Sequence, residues 1–174
     1  MSKAKKYIKF SLSGRKARFG TGKMPSLHRS AVEPRGAKLC EYGFHACLAG
    51  AAGQFLGDEA YIVSLSGAMV QDDQKVCGSK IRTLVRLPWG RRDVVDFAQA
   101  CAARARVYAR AASYADAADY ADAADYATSA ADYAASAARG ACGPHERAAE
   151  RRKQWEWIIS RLKKNGANLE GITW

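Results

Sequence analysis

From Asp93 to Arg139 the chain has neither glycine nor proline and is dominated by alanine, and nothing else in it restricts the fold so narrowly. Alanine has the highest helix propensity and no side-chain entropy to lose, so this composition drives the backbone to helix. The stretch predicts one continuous helix over 93–139, on the order of 70 Å long at about 1.5 Å per residue. Asp93 is the expected N-cap, and Val94, Phe97, Ala98 and Cys101 recur at the spacing of one apolar helical face. Tyrosines at 108, 114, 120, 126 and 133 punctuate the run, and the hexad YADAAD fills 114–119 and again 120–125. A six-residue step turns through about 600°, which displaces successive tyrosines by about 120°. Tyr108 and Tyr126 therefore share a face, with Tyr133 close by, while Tyr114 and Tyr120 point elsewhere.

Gly140, Gly143 and Pro144 end this rod, and a proline near a helix start is a favoured position. His145–Lys164 reads as a second helix with Trp155, Ile158, Ile159 and Leu162 at core spacing, stopped by Gly166. The two segments are electrically complementary. Residues 113–138 hold five acids and no base, and residues 139–164 hold eight bases against three acids. Folding back as a helical hairpin would bring Arg147, Arg151, Arg152 and Lys153 toward Asp116–Asp132. Exposed pairs of that kind contribute only a few tenths of a kcal/mol each, so Trp155 and its neighbours would supply most of the holding energy. The same thin rod can also pair with its own copy. A homodimer through Tyr108, Tyr126, Tyr133, Trp155 and Ile159 is the alternative.

Ahead of the rod the texture is that of strands and turns. Tyr7–Phe10 is a short strand candidate, and Ser13–Lys23, rich in Gly and Arg, is turn and loop. Pro25 and Pro34 bracket a polar loop. Leu39–Cys40 and Phe44–Cys47 read as extended with Gly43 turning between them, and Ala49–Leu56 as a short small-residue helix ending at Gly57. Tyr61–Leu65 alternates as a strand does, Asp72–Asp73 suggests a turn, and Ile81, Leu84, Val85 and Leu87 form a last strand closed by Pro88. The expected class is α+β: a small mixed or antiparallel β domain at 1–90, the repeat helix at 93–139, and a basic aromatic helix at 144–174.

Charge divides the chain further. Of 28 Lys and Arg against 17 Asp and Glu, eleven bases fall in residues 1–38 beside one acid, Glu33. Such an arm attracts phosphate backbones or an acidic protein surface, with affinity that falls steeply as salt rises. Lys3, Lys5, Lys6, Lys9, Arg15, Lys16, Arg18 and Lys23 are the candidate contacts. No apolar run approaches the roughly 20 residues of a membrane helix, and the basic start lacks the apolar stretch of an export signal. Five cysteines in such a chain read as reduced thiols in a cytosol. No membrane partner and no cofactor are expected.

Potentially reactive side chains concentrate in 38–87. Tyr42, Phe44, His45, Cys47 and Tyr61 form the candidate pocket. Cys40, His45 and Cys47, with His28, have zinc-compatible chemistry, but the spacing is not CxxC and strand alternation does not place Cys40 with the other two. Small buried thiols beside a hydrogen-bonded histidine are the simpler expectation. Cys47 with His45 or His28 as nucleophile and base lacks a group to orient the base. The repeat aspartates spiral around their helix rather than converging, and Ser13-Gly14-Arg15-Lys16 is not a P-loop.

LCEYGFHAC at 39–47, YIVSLSG at 61–67 and DDQKVCGSKI at 72–81 resemble an uncharacterised domain family of bacteriophage and prophage proteins with an LC-x-x-GFHAC signature. The Ala/Tyr/Asp repeat and the ending HERAAERRKQWEWIISRL are similar to the tails of phage-encoded members. The resemblance implies a phage or mobile-element accessory protein and no reaction. At the level of fold alone, the Gly-Phe-His turn, small-residue helix and V-x-L strand are similar to the central unit of ADP-ribosyltransferases. On that resemblance His45 would take the place of the residue stacked under nicotinamide, with Lys9 and Arg18 as stand-ins for the first motif. Residues 75–87 hold no glutamate for the catalytic acid. The expectation is therefore a non-enzymatic protein that binds nucleic acid or an acidic surface of a host complex. By analogy with small basic mobile-element proteins, a host-defence nuclease of the CRISPR type is the specific target expected. An ADP-ribosyltransferase-like nucleotide site and a purely structural rod are the competing functions.

Overall fold

Alternation in Tyr7–Phe10 and Tyr61–Leu65 becomes the two faces of one antiparallel sheet. The computed structural model describes residues 5–16, 23–109 and 144–172, with backbone alone for 105–109 and 144–146. Five strands, β1 (Lys6–Ser11), β2 (Ser30–Val32), β3 (Phe44–Cys47), β4 (Glu59–Gln71) and β5 (Lys75–Arg86), precede α1 (Arg91–Ala109) and α2 (Pro144–Lys164). Strands β1, β4, β5 and β2 lie side by side in that order, and every pairing is antiparallel. Strands β2 and β3 take successive stretches of the same edge of β5, because β4 occupies its other edge along both. The fold class is α+β.

The tight β4–β5 connection is an Asx turn, in which Asp72 Oδ1 accepts the amides of Gln74 at 2.8 Å and Lys75 at 2.7 Å. Strand β4 is irregular between Ser66 and Met69, where one extra residue is inserted opposite β5. Gly67 sits there with φ +80, and a Cβ on it would meet Ser79 Oγ at 2.2 Å. Only glycine fits this bulge. Ser79 Oγ accepts the Ala68 amide at 3.0 Å and satisfies the donor that the bulge frees.

Each face has its own core. Tyr7, Met24, Ala46, Tyr61, Val63, Leu65, Val76 and Ile81 pack on the inner face. The outer face carries Ile8, Phe10, Ala60 and Ile62, which pack with Leu56, Trp89, Val94, Phe97, Ile158 and Leu162. Strand and helix segments thus share one core. Each large side chain fully buried there contributes roughly 1.5–3 kcal/mol. The two helices run antiparallel where they meet: Phe97 and Trp157 stack edge to face at 5.4 Å, Arg161 Nε reaches Asp93 Oδ1 at 2.5 Å, and Arg104 Nε reaches Glu150 Oε1 at 2.8 Å. Arg161 also pairs with Asp96. Trp157, in contact with both Phe97 and Trp89, anchors α2, and Trp155 packs against the same core.

Several expectations change in detail. Leu39 and Cys40 lie in a turn, with Cys40 at φ +64, rather than in a strand. The small-residue segment is a 3₁₀ helix over Ala49–Gln54. Asp93 lies in the first turn of α1 and its Oδ2 accepts the Gly90 amide at 2.9 Å, so it caps from the third helical position instead of the N-cap. Strand β2 falls inside the loop bracketed by Pro25 and Pro34. The end of α2 matches its sequence signal: Gly166, at φ +90, donates to Lys163 O at 2.9 Å and Ala167 to Leu162 O at 2.9 Å. The continuation of the alanine-rich helix past Ala109, with Tyr126 and Tyr133, lies outside the described residues, as does the side chain of Tyr108. Among the described residues no helix is long and apolar enough to cross a membrane.

Candidate functional site

The residues singled out in 38–87 are dispersed over different surroundings. Phe44 and Tyr61 pack in the inner-face cluster, and the Tyr61 hydroxyl donates to Glu59 Oε2 at 3.0 Å. Tyr42 lies under the Arg35 guanidinium at 5.0 Å. Cys47 belongs to the outer core, its thiol directed at the Ile8 carbonyl at 3.6 Å, and burial pushes its pKa up to about 12. A thiol so held is protonated at neutral pH and is no nucleophile.

His45 lies between these surroundings. Its Nε2 accepts the Cys40 amide at 3.2 Å, which places the proton of the neutral ring on Nδ1. Burial, reinforced by the Lys9 and Lys75 charges, lowers its pKa from the ordinary histidine value. Lys75 Nζ stands 2.8 Å from the exposed Cys40 thiol, and the buried Cys77 thiol meets Tyr42 O at 3.4 Å. Among the described residues no three His, Cys, Asp or Glu side chains form a metal-binding group. Cys40 is exposed and Cys47 buried, and His28 is exposed at φ +61 with its amide bonded to Thr83 O.

The basic arm divides as well. Lys5, Lys6, Lys16 and Lys23 are exposed and Arg15 is half-buried, whereas Lys3 and Arg18 lie outside the described residues. Lys9 turns inward and donates to His45 O at 2.5 Å, and burial lowers its pKa. Its ammonium closes the seam between β1 and β3 instead of facing solvent.

Register supplies two cations that the sequence reading had not joined to the arm. Lys6 pairs with Ser64, Ser64 with Arg82, and Arg82 with Ser30, which makes one row across four strands. Opposed residues share a face, so all four side chains lie on the outer face. The next row is Ser66, Lys80 and Val32. Lys6, Arg82, Lys80, Ser30, Ser66 and Val32 are exposed, and neither row holds an acid or an aromatic residue. Glu33, which follows β2, is taken up by Arg35 at 2.7 Å. Lys80-Ile81-Arg82 alternates cation, apolar, cation, and that pattern was the available signal.

The proposed helix interface is only partly described. Trp155 and Ile159 are half-buried and line a cleft of about 600 Å³ with Ala49, Glu156, Ser160 and Lys163, while Ile158 and Leu162 are fully buried. No protein-family model, no curated protein and no solved structure matches this chain.

Proposed function

We propose that this chain is a non-enzymatic accessory protein of a phage or mobile element, acting in the bacterial cytoplasm by binding a polyanion, with nucleic acid as the ligand. One observation carries this. Lys5, Lys6, Lys16 and Lys23 are exposed on or beside a sheet that also exposes Lys80 and Arg82, and none of the six has an ion-pair partner among the described residues. Unneutralised cations on the surface of a molecule of net charge +11 hold a local field that surface pairing would otherwise cancel. Nucleotide chemistry around His45 has less support, because the imidazole Nε2 is already engaged by the Cys40 amide. The helical hairpin belongs to the same proposal: α2 packs back along α1 at the start of the alanine-rich stretch, an arrangement supported by the antiparallel contacts Asp93–Arg161, Phe97–Trp157 and Arg104–Glu150.

The test is recovery from bacterial lysate at low and high salt, with and without nuclease. Nucleic acid retained at low salt and lost at high salt supports the proposal. A single host complex that survives nuclease would transfer the function to an acidic protein surface, with a defence nuclease as the specific candidate. Retention of neither would refute it.

A further inference from the structure

We infer that the contact surface is the bare part of the outer sheet face, and that it takes the phosphate backbone of duplex nucleic acid without reading bases. The inference rests on the polyanion-binding proposal and adds the location and the ligand class. Neighbouring strands are about 4.8 Å apart, so Lys6 on β1 and Arg82 on β5 start about 10 Å apart; Lys80 and Arg82, two residues along one strand, start about 7 Å apart. Three long cationic side chains therefore rise from a platform about two strand spacings wide. Ser64 lies between Lys6 and Arg82, and Ser30 and Ser66 flank Arg82 and Lys80 on the neighbouring strands. Small hydroxyls keep the platform flat and offer hydrogen bonds to phosphate oxygens, as side chains that position a protein on a backbone do. At the bulge, Gly67 leaves room for the stem of Lys80, whose Cγ would lie 3.3 Å from any Cβ placed there.

The absence of rings from these two rows decides the ligand class. Single strands are held by bases stacking on aromatic side chains. The aromatics of β1 and β4, Tyr7, Phe10 and Tyr61, are 2%, 5% and 3% exposed and cannot stack on a ligand. What remains is charge, and a duplex presents about one phosphate per 1.7 Å of axis against about one per 3.4 Å for one strand. A flat face also cannot enter a major groove, where base edges are distinguished. Backbone contact without sequence preference follows.

Fluorescence anisotropy with a labelled DNA duplex of mixed sequence tests this, using the full chain, its Lys80→Gln/Arg82→Gln variant and a Lys163→Gln/Lys164→Gln control on α2. The first variant should bind roughly 60-fold more weakly at about 0.1 M salt, and its log Kd against log salt should be shallower by about 1.8. Its melting midpoint and the control's affinity should stay at the parent values. A second duplex of unrelated sequence should bind equally, and a single strand of the same length more weakly. Duplex binding that Lys80→Gln/Arg82→Gln leaves intact, or stronger binding of the single strand, would overturn this assignment and leave polyanion binding standing. Binding to poly-glutamate and not to the duplex would overturn the nucleic-acid ligand in favour of an acidic protein surface. Failure to bind either polymer would overturn the underlying proposal itself.

Discussion

Ile8 and Ile62 face each other across β1 and β4 and are 2% and 6% exposed beneath the helices, whereas Lys6 and Ser64, the next pair on the same face, lie beyond that cover with Lys6 open to solvent. Along β1 and β4 the two rows share one uninterrupted pairing, although β5 carries an extra residue between Val85 and Thr83 as it passes them. Only the side chains differ, and they change at a step of two residues along each strand. The helices cover Ile8 and Ile62 and leave the Lys6–Ser64 row beyond them, while Val85, opposite Ile62 on β5, stays exposed, so along β1 and β4 the edge of the hydrophobic cover is also the start of the cationic face. A half-covered sheet face of this kind separates buried apolar residues from exposed cations by one row.

That separation can be broken from the covered side first. Phe97 is fully buried and packs on Trp157, and Phe97→Ala should lower stability by about 3–5 kcal/mol in a urea titration while leaving the sheet cations in place. A direct comparison of the two rows comes next. Ile8→Ala should lower stability by about 2–4 kcal/mol, and Lys6→Ala should change it by less than about 0.5 kcal/mol. Equal effects would mean that the rows are not distinct. Arg104→Ala should lower stability by about 2 kcal/mol, because it strands the Glu150 carboxylate, whose side chain is 0% exposed. Adding Glu150→Gln should recover part of the loss, and calorimetry of both variants decides it.

The smallest effect is in pH. The folded imidazole of His45 has a lowered pKa, so as pH falls below about 6.5 the unfolded chain takes up a proton that the folded chain does not. Stability from this residue is therefore present above about pH 6.5 and is lost as pH falls toward the folded value. His45→Gln, which can still accept the Cys40 amide, should flatten that part of the melting-midpoint profile between about pH 5 and 8.

Much of the fold was legible in residue patterns. Tyr7–Phe10, Phe44–Cys47 and Tyr61–Leu65 carry strand alternation or β-rich composition, and each lies in a strand. Asp72 announced its turn and Gly166 its helix stop. Strand β2 was not legible, since Ser30-Ala31-Val32 has little intrinsic preference and is made a strand by pairing with Ile81 and its neighbours. The alternation of Tyr61–Leu65 likewise stops short of the whole strand, and Met69–Gln71 pairs with Val76–Gly78 once Gly67 absorbs the bulge. Lys9 was indistinguishable from its basic neighbours in sequence, because nothing local reveals that its ammonium meets His45 O across the β1–β3 seam. The cationic face lay half in view: Lys80 and Arg82 alternate visibly, yet their alignment with Lys6 depends on register across three strands, which no short-range signal specifies.

Backbone amide shifts of the isotope-labelled protein on addition of a mixed-sequence duplex would locate the contact surface most directly. Changes concentrated at Lys6, Ser30, Val32, Ser64, Ser66, Lys80 and Arg82, and reversed by added salt, are the predicted result. Changes confined to α2, or to the turn around Cys40 and His45 with the two sheet rows silent, would contradict it.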